Sequence, residues 1–274
     1  MLFNNIIYGP LHSRRLGTSL GINLMPTQAK LCTFNCIYCE CGWNAPVSHP
    51  HLPTCSEFTT ALEEKLSTIN QSTNQPINQS TNPPSPLDVI TFSGNGEPTL
   101  HPKFLQIMKE TVRLRDQYCP TAKISVLSNS TQLGRPDVVE ALKLADNRIL
   151  KLDSAIDATM HLIDQPTNRD LTVRQITDWL KQFNGDFILQ TCFLRGTLAA
   201  KESPDGQPHT VDNTTPEELN AWYSVVDELR PKQVMIYVID RATPCQTLHK
   251  IDPATMNAIA DHLRQRGLSV LVSA

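Results

Sequence analysis

Val89-Ile-Thr-Phe-Ser-Gly-Asn-Gly-Glu-Pro-Thr-Leu-His-Pro102 holds a strand, a turn and the approach to a helix in one short stretch. Val89–Ser93 is rich in β-branched and aromatic residues and stops at a glycine, as a short buried strand does. Gly94, Asn95, Gly96, Glu97 and Pro98 then make a good turn, because glycine and asparagine accept backbone angles that other residues resist. Helical spacing follows over 102–116. Strand, tight turn and helix make one βα unit.

The same unit recurs on both sides. Strand-length apolar runs lie at Leu20–Met25, Lys123–Leu127, Ile149–Asp153, Phe187–Phe193, Gln233–Ile239 and Leu268–Val272. Helical segments fall at 56–67, 134–145, 171–183, 215–229 and 253–266, with starts such as Thr214-Thr-Pro-Glu-Glu and Asp252-Pro-Ala-Thr. Several strands are continuous apolar runs, which suits parallel strands covered on both faces. Repeated βα units with right-handed crossovers close toward a barrel or an open doubly wound sheet. The expected class is α/β, a partial (β/α)6 TIM-like barrel with an extra C-terminal strand. In both architectures the loops after the strands share one rim, and ligands bind there.

A chain of 274 residues with 40% hydrophobic content supports one large domain, 1–274. Its one departure is the tandem Ile69-Asn-Gln-Ser-Thr-Asn-Gln-Pro, Ile77-Asn-Gln-Ser-Thr-Asn-Pro-Pro84. This polar, proline-rich composition predicts a disordered insertion over 69–86, at the end opposite the ligand rim. A net charge of −3 gives no basic excess to hold a phosphate backbone or an anionic membrane, so a nucleic acid partner would depend on a local patch. No apolar run approaches the roughly 20 residues of a membrane span, and Met1-Leu-Phe-Asn-Asn lacks the features of a secretory signal. A cytoplasmic protein is expected. The chain ends soon after the seventh strand, so no large auxiliary domain is anticipated.

Four of the eight cysteines cluster in Lys30-Leu-Cys-Thr-Phe-Asn-Cys-Ile-Tyr-Cys-Glu-Cys-Gly42. Cys32, Cys36 and Cys39, spaced C-x3-C-x2-C, are close enough to grip one polynuclear metal site. A 4Fe-4S cubane normally takes four thiolates, so a triplet leaves one iron open to another ligand and to chemistry. Zinc is the competitor, since cysteine pairs at such spacings also ligate zinc. A zinc site wants a second knuckle, which the chain lacks, although Cys41 or His49 would complete a tight one. Cys41 is therefore a fourth ligand or a bystander. Cys55, Cys119, Cys192 and Cys245 read as small buried hydrophobes, and disulfides do not suit a reducing compartment.

The triplet, with Tyr38 immediately before its last cysteine, resembles the signature of the radical S-adenosylmethionine (SAM) superfamily. The resemblance implies the radical SAM type of partial barrel. It also implies a 4Fe-4S cluster on Cys32, Cys36 and Cys39 whose fourth iron is chelated by the amine and carboxylate of SAM, leaving Cys41 a bystander. Tyr38 then stands beside the adenine, unless it only packs. Gly94, Asn95, Gly96 and Glu97 resemble the family's Gly-Gly-Glu-Pro segment, which receives the methionine amino group. Here Asn95 replaces the first glycine, and its tolerance of left-handed angles would preserve the turn. Further SAM contacts are implied at Ser128 or Asn129 and at Lys151 or Asp153. Alternation puts Lys151 and Asp153 on one side of a strand, where they can pair with each other instead.

Ser13-Arg-Arg-Leu-Gly-Thr-Ser-Leu-Gly-Ile-Asn-Leu-Met-Pro26 resembles an incompletely defined branch of that superfamily, near the tRNA wyosine-base synthesis enzymes. This likeness covers residues 8–155. Arg14 and Arg15 either hold an anionic substrate or cover a barrel end, and the cover is the preferred reading. Arg195, Arg241 and Tyr237 are substrate-side candidates by position.

The implied reaction is that of a radical SAM oxidoreductase. A flavodoxin- or ferredoxin-type donor reduces the cluster, SAM is cleaved, and the 5′-deoxyadenosyl radical takes hydrogen from an unidentified substrate. No protein acid or base is needed, so no catalytic residue is expected beyond the binding set. Within that class stand tRNA modification, which the acidic balance opposes, and activation of a glycyl-radical partner. A non-enzymatic zinc-binding module is the alternative of another class.

Overall fold

The computed structural model describes residues 2–13, 15–73 and 87–274. Strand β1 (Ile7–Ser13) turns back into β2 (Gly17–Asn23). Six βα units follow: β2 with helix α1 (Cys55–Thr73), β3 (Val89–Ser93) with α2 (Phe104–Tyr118), β4 (Lys123–Ser128) with α3 (Pro136–Lys143), and β5 (Asn147–Lys151) with α4 (Asp157–Ile163) and α5 (Val173–Leu180). The last two are β6 (Ile188–Leu198) with α6 (Pro216–Leu229), interrupted by β7 (His209–Asp212), and β8 (Gln233–Val238) with α7 (Pro253–Gln265), interrupted by β9 (Leu248–Lys250). Strand β10 (Val270–Ser273) closes the series.

The sheet runs β1-β2-β3-β4-β5-β6-β8-β10, parallel from β2 to β10, with β1 antiparallel at one edge and β10 at the other. All seven expected strands are these parallel ones. Helix α2 buries Phe104, Ile107, Met108, Thr111 and Leu114, a stripe at the helical period that covers the outer face of the sheet. Helices α6 and α7 begin where proline follows a capping residue: Thr215 accepts from the Glu218 amide and Asp252 from the Thr255 amide. Among the described residues no helix is long and apolar enough to cross a membrane.

Strands β1, β7 and β9 and helix α4 are additional to the sequence reading. β1 contains Pro10, which confines it to an edge position; the others are short. β7 and β9 both pair antiparallel with the end of β6, drawing it out of the sheet as a small arm. Helix α1 continues through Thr73 and takes up the start of the tract expected to be disordered; 74–86 lie outside the described residues.

Leu16, just before β2, lies on the inner side of the sheet. It packs against the buried cluster of Ile149, Ile188 and Met235 from β5, β6 and β8, as do Leu127 of β4 and Leu271 of β10. Every strand from β2 to β6, and β8, delivers its following loop to the opposite rim.

Candidate functional site at the strand C-termini

The cysteine loop and the glycine turn are bonded to each other. The Leu31 amide donates to the Asn95 carbonyl at 2.9 Å, and the Glu97 amide donates to the Leu31 carbonyl at 3.1 Å, a parallel bridge centred on Gly96. That approach explains the glycine: Gly96 has φ +147°, and a Cβ there would lie 1.8 Å from the Leu31 oxygen. Gly94, φ +109°, is pressed against the Asn23 side chain in the same way. The other side of the cysteine loop is pinned to α4, the Ile37 amide donating to the Ile163 carbonyl at 3.0 Å.

Asn95 departs from the sequence reading. The positive backbone angles of the turn belong to Gly94 and Gly96, and Asn95 has none. Its buried side chain donates to the Phe3 and Pro26 carbonyls at 2.8 and 2.9 Å and accepts from the Phe3 amide at 2.8 Å. It ties down the start of the chain.

At the rim a cavity of about 320 Å³ is lined by Cys32, Cys36, Cys39, Tyr38, Gly96, Glu97, Ser128, Asn129 and Lys151. The sequence places these residues up to 119 positions apart, and the fold gathers them around one space. Gly94, Asn95 and Asp153 lie behind this wall. Arg241 and Tyr237 line the cavity as anticipated, together with Phe34, Cys41, Gln190 and Arg15, whereas Arg195 stands outside it, half-exposed and 3.7 Å from Asp212 on the β6–β7 arm. Arg195 projects there because β6 runs on past the rim into that arm. Arg14 lies outside the described residues.

Glu97 is buried, with burial pushing its carboxyl up against a set of hydrogen bonds that hold the charge. One oxygen accepts from the Asn129 amide at 2.7 Å, the other from the Thr99 amide and hydroxyl at 3.1 and 2.5 Å. Lys151 is a buried cation at the cavity wall. Burial opposes its charge, but Asp153 at 3.1 Å and Asp164 outweigh that and raise its pKa well above the ordinary lysine value. Asp164, from the end of α4, is pushed up to about 7 by burial. Asp153 also accepts the Tyr38 hydroxyl, so the tyrosine is fixed by its polar tip while its ring lies 5.0 Å from the ammonium. The anticipated Lys151–Asp153 pair therefore forms, with Asp164 as a third member that no local pattern announced.

The sulfurs have donors around them. Cys36 is 3.0 Å from the Lys151 ammonium; Cys32 is approached by the Phe34 amide at 3.4 Å and the Asn129 amide group at 3.5 Å. Burial pushes Cys32 up to about 11 and Cys36 well above the usual thiol range. Cys39 is drawn down to about 5 by its hydrogen bond with Cys41, which also donates to the Gly94 carbonyl at 3.2 Å. Lys30, buried in the same loop, donates to the Gly42 carbonyl at 3.2 Å. Two buried ammonium groups beside three thiols form a donor set suited to a centre held by thiolates. Cys192 and Cys245 are buried, as small hydrophobes are, while Cys55 and Cys119 are half-buried. Among the described residues no three His, Cys, Asp or Glu side chains converge at single-ion spacing.

No family model matches the chain. It is 31% identical over 193 residues to a UPF0026 protein of Helicobacter pylori strain J99, covering 70% of this chain and 57% of that protein. The chain thus spans little more than half the length of that relative. Among solved structures it is similar to Streptococcus suis SuiB bound to S-adenosylmethionine, with TM-score 0.59 at 12% identity, covering 90% of this chain and 49% of SuiB. It is also similar to TYW1 with a lysine-pyruvate adduct bound, with TM-score 0.54 at 13% identity, covering 91% and 74% of the two chains. At such identities what is shared is the fold, the partial α/β barrel of the radical SAM type.

Proposed function

We propose that the chain is a cytoplasmic radical SAM enzyme, with residues 1–274 as its core, that carries a 4Fe-4S cluster on Cys32, Cys36 and Cys39 and cleaves SAM reductively. The observation that carries this reading is that the three thiols and Glu97 face one cavity, on two loops bonded to each other through Leu31 and Gly96. SuiB, of the same fold, has S-adenosylmethionine bound. When bound, the cluster would supply the electron, from a flavodoxin- or ferredoxin-type donor, that splits SAM into methionine and the 5′-deoxyadenosyl radical.

The residues divide the remaining work. The turn Gly94–Glu97 offers backbone carbonyls and the charge of a carboxylate to the methionine ammonium, Glu97 being held in place by hydrogen bonds from Thr99, Asn129 and Ser128. Ser128 and Asn129 present small polar groups to the nucleoside, and the Tyr38 ring a face. Lys151, already paired by two carboxylates, serves as the counter-charge to Cys36, and Asp153 acts through Lys151 and Tyr38. Phe34 and Tyr237 keep water from the reacting centre.

The test is anaerobic reconstitution with iron and sulfide, followed by assay of 5′-deoxyadenosine after dithionite reduction. The expected product is a brown protein with about four irons per chain that cleaves SAM. Cys36→Ala should lose both properties, and Cys41→Ala should keep both. A colourless protein holding zinc at one equivalent and inert to SAM would overturn the reading. Stimulation of cleavage by tRNA, or by a glycyl-radical partner protein, would assign the finer branch; the likeness to TYW1 is no closer than that to SuiB.

A further inference from the structure

The rim cavity continues into the lumen of the sheet. A second space of about 400 Å³ shares Arg15, Glu40, Leu127, Gln190 and Arg241 with it and is also lined by Leu16, which packs against the buried cluster of Ile149, Ile188 and Met235. Three Lys or Arg side chains line the two spaces. Lys151 is paired with Asp153 and Asp164, and Arg241 with Glu40 at 2.7 Å. Arg15 alone has no carboxylate within 4 Å among the described residues, and residues 1, 14 and 74–86 contain no Asp or Glu that could supply one. Its guanidinium lies over the Tyr237 ring at 4.7 Å, with Nη1 3.8 Å from the Met235 sulfur.

A guanidinium placed in this way is pre-positioned rather than satisfied. It has five N–H donors in a planar fork, and a ring face and a thioether engage few of them. Leu16, the next residue, packs against Ile149, Ile188 and Met235, so little freedom at Arg15 would be lost when a partner arrives. The partner that matches the fork is a carboxylate or a phosphate. We infer that Arg15 is the anchor for the substrate, a small molecule that carries a carboxylate or phosphate group and occupies the lumen between Arg15 and the cysteine rim. The two spaces, about 320 and 400 Å³, are of the size that holds a small molecule. What stands at the rim rests on the function proposed above; the anion site itself does not.

The test uses the full chain, first without cluster and then reconstituted with SAM. Calorimetric titration with inorganic phosphate and with acetate should show saturable binding, weakened at least tenfold in Arg15→Gln, partly restored in Arg15→Lys and unchanged in Arg195→Gln. The preferred anion identifies the headgroup. On the unaltered chain, the tighter-binding anion should slow phenylglyoxal modification of Arg15 and not of Arg195, a measurement independent of how the variants fold. Equal anion binding by Arg15→Gln and the unaltered chain, or equal protection of both arginines, would overturn the assignment. So would loss of SAM affinity in Arg15→Gln, which would place the guanidinium on SAM itself. Anion binding at Arg15 without SAM cleavage would reject the proposed function and leave the anchor standing.

Discussion

The Lys151 ammonium stands 3.0 Å from the sulfur of Cys36 while it neutralises Asp153 at 3.1 Å. One buried cation therefore serves a thiol and two carboxylates. Lys151→Met would leave Asp153 and Asp164 facing each other without a counter-ion, and removal of one partner from a buried pair costs about 3–5 kcal/mol. Urea denaturation of the cluster-free protein should show a loss of that order. The double variant Lys151→Met, Asp164→Asn should recover part of it, and a double variant no more stable than Lys151→Met would refute the coupling.

Gly96 sets how closely the cysteine loop meets the turn. Gly96→Ala puts a methyl group 1.8 Å from the Leu31 carbonyl oxygen at a backbone angle that L-residues avoid, a strain of at least about 1–3 kcal/mol. Because Leu31 leads into Cys32, iron uptake should fall together with stability. Gly42→Ala, at φ +85° with no atom near its Cβ, should cost only about 1–2 kcal/mol and leave iron uptake intact. Equal iron loss in both variants would contradict this account of the bridge.

Asn95 separates binding from structure. Its side chain holds Phe3 and Pro26, so Asn95→Ala leaves buried partners unmatched at about 1–3 kcal/mol. Stability should fall in denaturant titrations while the SAM concentration for half-maximal cleavage stays put. A rise in that concentration without a loss of stability would make Asn95 a direct cofactor contact.

His101 gives the fold a pH dependence. The Lys103 amide donates to its Nδ1 at 3.1 Å, so Nε2 carries the proton and donates to the Pro53 carbonyl at 2.9 Å. Burial holds the imidazole neutral and its pKa below the ordinary 6.5. The unfolded chain thus takes up a proton first as pH falls, and stability present above pH 6.5 drains away below it. Denaturation midpoints at pH 7.5 and 5.5 should differ by less in His101→Gln than in the unaltered chain, and an unchanged difference would show that other groups set the slope.

The parallel core was legible because its strands are apolar runs bounded by glycine and polar turns, as Val89–Ser93 is by Gly94. Strand order alone then brings Cys32, Glu97, Asn129 and Lys151 to one rim. The pairing of Lys151 with Asp153 could be anticipated from strand alternation. Asp164 could not, since its approach to Lys151 depends on α4, a short helix with no strong periodic signature. Nor could the inward course of Arg15, which lies over Tyr237 beside Leu16 as that residue packs against Ile149, Ile188 and Met235 of three strands, a long-range packing event that leaves no trace in local pattern. The β6–β7 arm likewise carried Arg195 away from the rim through antiparallel pairing of short segments.

The central claim, a cluster with one iron open to SAM, is tested most directly by electron–nuclear double resonance of the reduced, reconstituted chain with SAM labelled by 17O in its carboxylate and 15N in its amine. Hyperfine coupling of both labels to the cluster is expected, and it should survive in Cys41→Ala. An intact reduced cluster with neither coupling would contradict the claim.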